Sequence, residues 1–416
     1  MRQLRDFCLS MNECPPCVFC ADANIVYATV QEELNMTEYY QKAKEFAERV
    51  IAPRAAEIDE TDEFPKDIFD KLADEGFMSL IIPTEWGGQG KGYAEHADVV
   101  YALSEVSGTV GICYFQHNTT IFEVINVGTD QLKDEVFNGV VKDHKICALA
   151  CSEIGTGCHF YSCETTAERL ENGKTRINGV KSMVTMATYA SWYCIDCQAV
   201  GTEGISQWLI PATAEGIAYR TEDWHGVGMH GNISCPMEMN NIEVDEYYRY
   251  GNEGEGMQQI LQVVAPPFIL GLAALYGGIA SGMFNEACAY SMQRTYPGGT
   301  YCDGKKLCNL EPVQTHLSRL YANSLACKSI VDNAAAAMDA GEPDAVLRIM
   351  GARAFTIDVV LDSAKYAMRI GGGKGYNKAN AIERMMRDGY AGQIMAPGAD
   401  VLALWIGRLV TGQNPL

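Results

Sequence analysis

The residues best suited to hold a flat ligand lie in the middle of the chain, over 147–192. An alternating strand pattern is followed there by the glycine-punctuated loop SEIGTGC at 152–158. The pair Asn172-Gly173 is typical of a hairpin turn, and Asn178-Gly179 predicts a second turn. A small antiparallel β unit of this kind presents hydroxyls and backbone N–H groups on one side. The stretch is therefore predicted to bind a planar molecule.

Two groups of cysteines have a spacing that could do redox or metal chemistry. Cys14, Cys17 and Cys20 have the spacing of iron–sulfur or zinc ligands. They lack a well-placed fourth ligand, so no metal site is predicted, and a metal-binding redox module is the least favoured function. Cys194 and Cys197 lie in a strand pattern that points their thiols to opposite faces, and packing is the favoured interpretation.

Changes of periodicity divide the chain into an extension at 1–35, a helical domain at 36–145, a β domain at 146–250 and a second helical domain at 251–416. Thr37 is predicted to cap the first helix. The helices of the first domain are expected at about 37–60, 65–76, 93–105 and 112–126. Those of the last domain are expected from about 256, then at 311–340, 344–370 and 379–389 and after 400.

Composition excludes some classes of partner. The chain has 416 residues and a formal net charge of −21, which disfavours a general surface for nucleic acid or anionic membrane. No apolar run approaches the roughly 18–20 residues of a membrane span, and the first residues do not resemble a secretory signal. A cytoplasmic location is expected. Local Arg, Lys and backbone N–H groups can still bind a phosphorylated ligand.

The central stretch resembles the middle domain of the acyl-CoA dehydrogenase superfamily. The family's T-E-P-G is Ser152-Glu153-Ile154-Gly155 here, and its N-G-x-K is Asn178-Gly179-Val180-Lys181. Further matches lie at 80–90 and 277–287, in the family's order, so the resemblance covers about 37–416. It implies an α+β fold with an N-terminal helical domain, a central antiparallel β domain and a C-terminal four-helix bundle.

The resemblance also implies an FAD site. An arginine such as Arg294 suits a diphosphate, and glycines let the backbone approach the cofactor. Met183 stands where the family has Trp and Arg369 where it has Gln, which implies fewer hydrogen bonds and weaker or assembly-dependent FAD binding. The positions that the resemblance assigns to FAD are Ser152, Met183, Thr185, Arg294, Gln314, Arg369, Gly372 and Gly373.

The catalytic base of the family is missing at both of its usual positions. Dehydrogenases of the family remove the α proton of an acyl thioester with a glutamate while flavin N5 takes a hydride from the β carbon. The late glutamate position is Ala396, and the earlier one is Pro267. Loss of a general base costs roughly 10²–10⁴ in rate. Asp400 is the first candidate for a substitute base, although an N-cap role is favoured for it.

Two functions of different classes follow from the resemblance. The leading one is an FAD-dependent oxidoreductase acting on the α,β carbons of an acyl-CoA or acyl-carrier thioester, with altered chemistry such as that of a reductase or desulfinase. The alternative is a catalytically inactive partner in a hetero-oligomer. Cys158, His159 and His230 occupy the family's acyl-carrier positions. The family also implies a homotetramer and an electron-transferring flavoprotein as redox partner.

Overall fold

The computed structural model describes residues 37–156, 162–298, 304–378 and 380–415. Predictions that fall on other residues lie outside this part of the chain. They concern the extension up to residue 35, Cys14, Cys17, Cys20, Cys158 and His159.

The first helical domain begins where the sequence predicts, because the Thr37 hydroxyl accepts a hydrogen bond from Tyr39 N at 3.2 Å. The predicted helix over 37–60 is interrupted by a π turn at Ala47–Ile51 and a 3₁₀ turn at Ala52–Arg54. Pro53 lacks an N–H and cannot continue a regular helix. The last helix of the domain was not predicted. The six helices in the described part of this domain are α1 (Glu38–Phe46), α2 (Ala55–Thr61), α3 (Lys66–Asp74), α4 (Tyr93–Ser104), α5 (Gly108–Val127) and α6 (Asp130–Asp143).

The central domain is a mostly antiparallel sheet. Within the described residues its strands are β1 (Cys147–Leu149), β2 (Thr166–Arg169), β3 (Lys174–Val184), β4 (Trp192–Ala199), β5 (Ile205–Pro211), β6 (Ile217–Tyr219) and β7 (Cys235–Asp245). Their order is β1-β4-β2-β3-β7-β6, and β5 pairs with β4. The pairings of β4 with β1 and β2 are parallel, which the sequence did not predict.

One predicted turn is confirmed and the other is wrong. Asn172-Gly173 joins β2 to β3, and the Asn172 side chain accepts a hydrogen bond from Lys174 N at 3.0 Å. At Asn178-Gly179, however, β3 continues through a β-bulge. A Cβ at Gly179 would lie 2.7 Å from the Cα of Thr165, so glycine permits a close backbone approach there instead of a reversal.

The C-terminal domain packs around one long helix. Its described helices are α7 (Gly256–Gln259), α8 (Ala265–Gln293), α9 (Glu311–Asp339), α10 (Ala345–Gly375), α11 (Ala381–Tyr390) and α12 (Ala399–Val410). A π turn at Ile260–Val264 joins α7 to α8, because Pro266 and Pro267 at the start of α8 donate no backbone hydrogen bonds. The joined helix Gly256–Gln293 has the length and hydropathy of a membrane span, but 83% of its most apolar window is buried. It packs against α4, α5, α9 and α10 as the apolar axis of the bundle.

Candidate active site

A cavity of about 400 Å³ lies where the β domain meets the two helical domains. Ser152, Met183 and Ala396, three positions singled out from the sequence, all line it. The cavity has one polar wall and several apolar ones. The polar wall comes from α5 and the β domain and consists of Gln116, Cys151, Ser152, Thr156 and Asp196. The apolar walls come from the helix that begins at Gly256, from α10 and from the last segment of the chain.

Hydroxyl and amide groups organise the polar wall. Gln116 Nε2 donates to Thr185 Oγ1 at 3.1 Å, and that hydroxyl lies 3.0 Å from Ser234 Oγ. Gln116 Oε1 is buried and has no hydrogen-bond partner in the described structure. A buried acceptor without a partner is unfavourable by about 1–3 kcal/mol. Because Gln116 lines the cavity, a ligand N–H or O–H can satisfy this oxygen.

A buried ion pair supports the polar wall from behind. Lys181 Nζ lies 2.6 Å from Glu153 Oε1 and 2.7 Å from the backbone oxygen of Asp196. Glu153 also accepts hydrogen bonds from the backbone and hydroxyl of Thr165. Burial alone would raise the pKa of Glu153, but Lys181 and these donors hold it below its usual value. These two residues are the Glu and Lys of the family strings, and here they fix the loop to the sheet.

Asp196 is a buried carboxyl within this wall. Gln207 Nε2 donates to its Oδ1 at 2.9 Å, and the Cys151 thiol lies within hydrogen-bonding reach. Burial raises the pKa of Asp196 above its usual value, although the Lys181 charge and the two hydrogen bonds act in the opposite sense. Sequence reasoning missed this residue because it treated Cys194-Ile-Asp-Cys197 as a packing segment. The signal was a carboxyl inside an otherwise apolar strand.

A second buried acid lies behind the polar wall, in a polar seam between β4 and α5. The Cys194 thiol, which neighbours Cys151, lies 2.9 Å from Glu123 Oε2. Burial raises the pKa of Glu123 to about 8. The other carboxyl oxygen of Glu123 and the hydroxyl of Tyr250 have no partner in the described part of the chain. The seam therefore holds two carboxyls whose neutral forms are favoured by burial.

The opposite side of the cavity carries no substitute glutamate at the family positions. Ala396 lines the cavity on the loop after α11, which is held by a 2.8 Å hydrogen bond from Arg353 Nη2 to the backbone oxygen of Gly392. Pro267 is buried in the first turn of α8. Asp400 is exposed in the first turn of α12 and is not part of the cavity lining. The favoured N-cap role of Asp400 is wrong, because Gly398 occupies that position.

His230 was predicted to contact substrate, but it faces the first helical domain. Its Nδ1 lies 2.9 Å from Asp62 Oδ1 and 2.8 Å from the backbone oxygen of Asp59. Arg387 also binds Asp59, at 2.9 Å, and Glu383, at 2.6 Å. His230 is absent from the cavity lining. Within the described residues, its contacts connect domains.

The remaining predicted cofactor residues lie away from the large cavity. Arg294 stacks on Tyr296 at 5.4 Å, and Arg369 stacks on Tyr366 at 5.5 Å. Gly372 has φ +54 inside α10, and a Cβ at Gly372 or at Gly373 would meet nothing within 4 Å. A second cavity of about 160 Å³ lies nearby, between Tyr290, Gln293 and Lys374. Gln314 is exposed near the start of α9. None of these five predicted residues lines the large cavity.

The residues present fit a flavin at the polar wall. The hydroxyls of Ser152 and Thr185 and the unpartnered oxygen of Gln116 provide the donors and the acceptor that the polar edge of a flavin ring requires. Met183 is half exposed beside them and offers an apolar surface to the face of a ring. The open backbone at Gly372 and Gly373 suits the approach of a diphosphate group.

The chain matches three profiles of one protein family in succession. The acyl-CoA dehydrogenase N-terminal, middle and C-terminal domains match residues 34–144, 148–242 and 255–408. The chain therefore belongs to the acyl-CoA dehydrogenase family, whose members are flavin-dependent oxidoreductases acting on CH–CH groups. The fold predicted from the sequence is confirmed.

Particular relatives include both reductases and dehydrogenases. A 3-(aryl)acrylate reductase of Clostridium sporogenes is 30% identical over 83% of this chain and 90% of its own length. A cyclohex-1-ene-1-carbonyl-CoA dehydrogenase of Geobacter metallireducens is 28% identical over 89% of this chain and 95% of its own. A solved structure described as an electron-transferring flavoprotein of Acidaminococcus fermentans has a TM-score of 0.83 at 25% identity, and the match covers 90% of this chain and 98% of that one.

Proposed function

We propose that the protein is an FAD-dependent oxidoreductase of the α,β-carbon bond of a compact acyl thioester and that it works as an enoyl reductase. The observation that carries this proposal is the cavity, whose polar wall includes Ser152 and Gln116, with Thr185 hydrogen-bonded to Gln116, and faces apolar helical walls. Bound FAD supplies hydride chemistry at the β carbon. The reductive direction is supported by the 3-(aryl)acrylate reductase among the relatives.

The chain's own residues position the reactants. Gln116 and Thr185 orient the polar edge of the ring, and the apolar walls exclude water from the reacting carbons. Phe268 and Trp405 give the cavity aromatic surfaces. They support an acyl group that carries a ring, in line with the arylacrylate in the name of the Clostridium relative. The proposed contacts of the acyl carrier remain Cys158, His159 and His230. For His230 to make such a contact, its side chain must leave its present partners Asp59 and Asp62.

The partners are proposed from the family and from exposed surfaces. An electron-transferring flavoprotein as electron donor is supported by the Acidaminococcus structure. A homotetramer is supported by α12, which leaves Leu404 and Val410 more than half exposed. Assembly would also bring Arg294 and Gln314 to a flavin bound by a neighbouring copy. A cytoplasmic location completes the proposal.

The test is an absorption spectrum followed by turnover. The purified protein is incubated with FAD, passed through gel filtration and scanned in the visible range. Retained flavin is then reduced with dithionite and mixed anaerobically with cinnamoyl-CoA or crotonyl-CoA. The proposal expects a retained flavin band that reappears in its oxidised form after either thioester is added. A colourless protein would contradict the proposed function and favour the alternative of an inactive partner subunit. No observation in the described part of the structure supports that alternative.

A further inference from the structure

The chain changes direction sharply after α12. Gly412, just beyond the last turn of the helix, has φ +73, a backbone conformation that residues with a side chain rarely adopt. Its N–H donates to the Leu409 oxygen at 3.0 Å, and the N–H of Gln413 donates to the Arg408 oxygen at 2.8 Å. This pair of hydrogen bonds is the Schellman motif, which ends a helix and turns the chain away from the helix axis. Residues 411–415, here called the strap, therefore do not extend α12.

The strap lies back against α12 and reaches the large cavity. Arg408 Nη1 donates to the backbone oxygen of Pro415 at 3.1 Å, which fixes the far end of the strap to the helix. Asn414 and Pro415 line the cavity, and so do Trp405 and Leu409 of α12. These last two residues are four positions apart and share one face of the helix. The strap therefore extends that face along the cavity.

The strap is a thin wall between the cavity and solvent. Asn414 is exposed and Pro415 is half-buried, although both line the cavity. The side chain of Gln413 is turned to Thr411 Oγ1 at 3.0 Å, within the strap itself. A single layer of chain at the protein surface is displaced at a lower free-energy cost than a packed helix. The strap can therefore be moved without unfolding the helices around it.

The size of the cavity and the direction of α12 place the strap at the distal end of an acyl group. The cavity volume of about 400 Å³ is near the lower end of the range of about 300–1,000 Å³ that is usual for ligand sites, and a flavin ring and an acyl group must share it. Leu409 lies about 15 Å along the helix axis from Ala399, at 1.5 Å per residue. An acyl group whose reacting carbons lie near Ala396 therefore meets the strap with its far end.

We propose that the strap closes the distal end of the acyl pocket and restricts the protein to short-chain or single-ring acyl groups. This inference rests on the proposed function and names the element that selects its substrates. The apolar walls accept the part of the acyl group beyond the reacting carbons, and the strap limits how far it extends. When the strap is displaced, a longer chain can pass between α12 and the opposite walls into solvent, while the reacting carbons keep their position.

The inference is tested with two substitutions at Gly412. Gly412→Pro removes the N–H that binds Leu409 and cannot adopt φ +73, so it redirects the strap. Gly412→Ala keeps the N–H and strains the turn only partly. The matched control is Gly341→Ala, because Gly341 ends α9 in the same type of turn, with φ +64 and its N–H on the Met338 oxygen, and does not line the cavity.

The measurement is the rate at which crotonyl-CoA and octenoyl-CoA oxidise the dithionite-reduced, FAD-loaded enzymes. The wild type is expected to react at least about tenfold faster with crotonyl-CoA than with octenoyl-CoA. Gly412→Pro is expected to raise the ratio of the octenoyl rate to the crotonyl rate about tenfold, because the longer chain no longer meets a wall. Gly412→Ala is expected to change this ratio less and in the same direction, and Gly341→Ala is expected to leave it unchanged.

Two readouts do not depend on turnover. S-octyl-CoA, a thioether that cannot react, is expected to bind Gly412→Pro about tenfold more tightly than it binds the wild type, whereas binding of S-ethyl-CoA should be the same in both. Hydrogen exchange of the peptide 403–415, followed by mass spectrometry, shows whether the strap has moved. Faster exchange in Gly412→Pro without a change in the octenoyl-to-crotonyl ratio would overturn the inference. Strap amides that exchange freely in the wild type would overturn it as well.

The inference and the proposed function fail in different ways. A wild-type enzyme that reacts equally fast with crotonyl-CoA and octenoyl-CoA would contradict the role of the strap and leave the oxidoreductase function standing. A wild-type protein that binds no FAD, or whose reduced flavin reacts with none of the thioesters, would contradict the proposed function and this inference with it.

Discussion

The two sides of the active-site cavity differ in what they retain from the family. The β-domain side keeps the Glu and Lys of the family strings, and Glu153 and Lys181 form a buried pair at 2.6 Å. The C-terminal side has lost the family glutamate and presents Ala396 within an apolar surface. The comparison indicates that, among the described residues, the ionisable groups at the cavity lie on the β-domain side, while the helical side presents an apolar surface.

The largest effect on stability is expected from breaking the support of the β-domain side. Lys181→Met leaves Glu153 buried without a counter-charge, which costs about 3–5 kcal/mol. Lys365→Met is the matched control, because Lys365 is exposed and its partner Asp362 also pairs with Arg319. Pairs of exposed side chains contribute about 1 kcal/mol or less. Urea unfolding at neutral pH measures both. Equal losses in the two variants would show that the buried pair has no special role.

A pH-dependent effect is expected from the second acid of the seam. The pKa of Glu123 is about 8 in the folded protein, compared with an ordinary 4.5. The folded state therefore holds a proton that the unfolded state releases, so stability falls as pH rises from about 4.5 to about 8. Glu123→Gln should remove that fall, and it should stabilise the protein at pH 8 relative to the wild type by up to about 4 kcal/mol.

Urea unfolding at pH 5 and pH 8 checks the Glu123 prediction. The control is Glu135→Gln, because Glu135 is only partly buried and accepts hydrogen bonds from Trp192 and two tyrosines. The prediction is contradicted if the free energy of unfolding changes with pH in the same way in the wild type and in Glu123→Gln. The folded protein would then not hold the proton on Glu123.

A smaller effect, on activity, is expected when the lost carboxylate is restored to the C-terminal side. Ala396→Glu places a carboxyl on the loop that lines the cavity. It should raise turnover about tenfold relative to the wild type, as a partly positioned acid or base would. Ala396→Gln has a similar size without an ionisable group and should give no gain. An equal gain from both variants would mean that the gain comes from filling the cavity and not from proton transfer.

The sequence predicted the fold well because the helices are long and because sequence motifs of the family occur along most of the chain. The helices at 311–340 and 344–370 were placed within a few residues, since their apolar periodicity is long and regular. The π turns before Pro53 and Pro266 were not foreseen, because a proline pattern shows that hydrogen bonds are lost but not how the chain compensates. The bulge at Gly179 was misinterpreted as a turn, because both use the same Asn-Gly signal.

The candidate site was predicted only in part. Ser152, Met183 and Ala396 meet in one cavity as the resemblance implied. Asp196 was missed because its place at the cavity depends on the pairing of β4 with β1, and this pairing joins segments far apart in sequence. Asp400 was the first candidate for a substitute base because of its position after Ala396, but it is exposed in the first turn of α12. Nearness in sequence was a poor guide to nearness at the cavity.

The most direct test of the account is the exchange of the α hydrogens of 3-phenylpropionyl-CoA with deuterated solvent on FAD-loaded protein, followed by NMR. The exchange reports proton transfer at the α carbon and does not require an electron donor. The account predicts slow exchange in the wild type, because the C-terminal side of the cavity presents Ala396 in place of the family glutamate. It predicts an increase of about tenfold in Ala396→Glu and none in Ala396→Gln. Wild-type exchange as fast as that of Ala396→Glu would contradict the account.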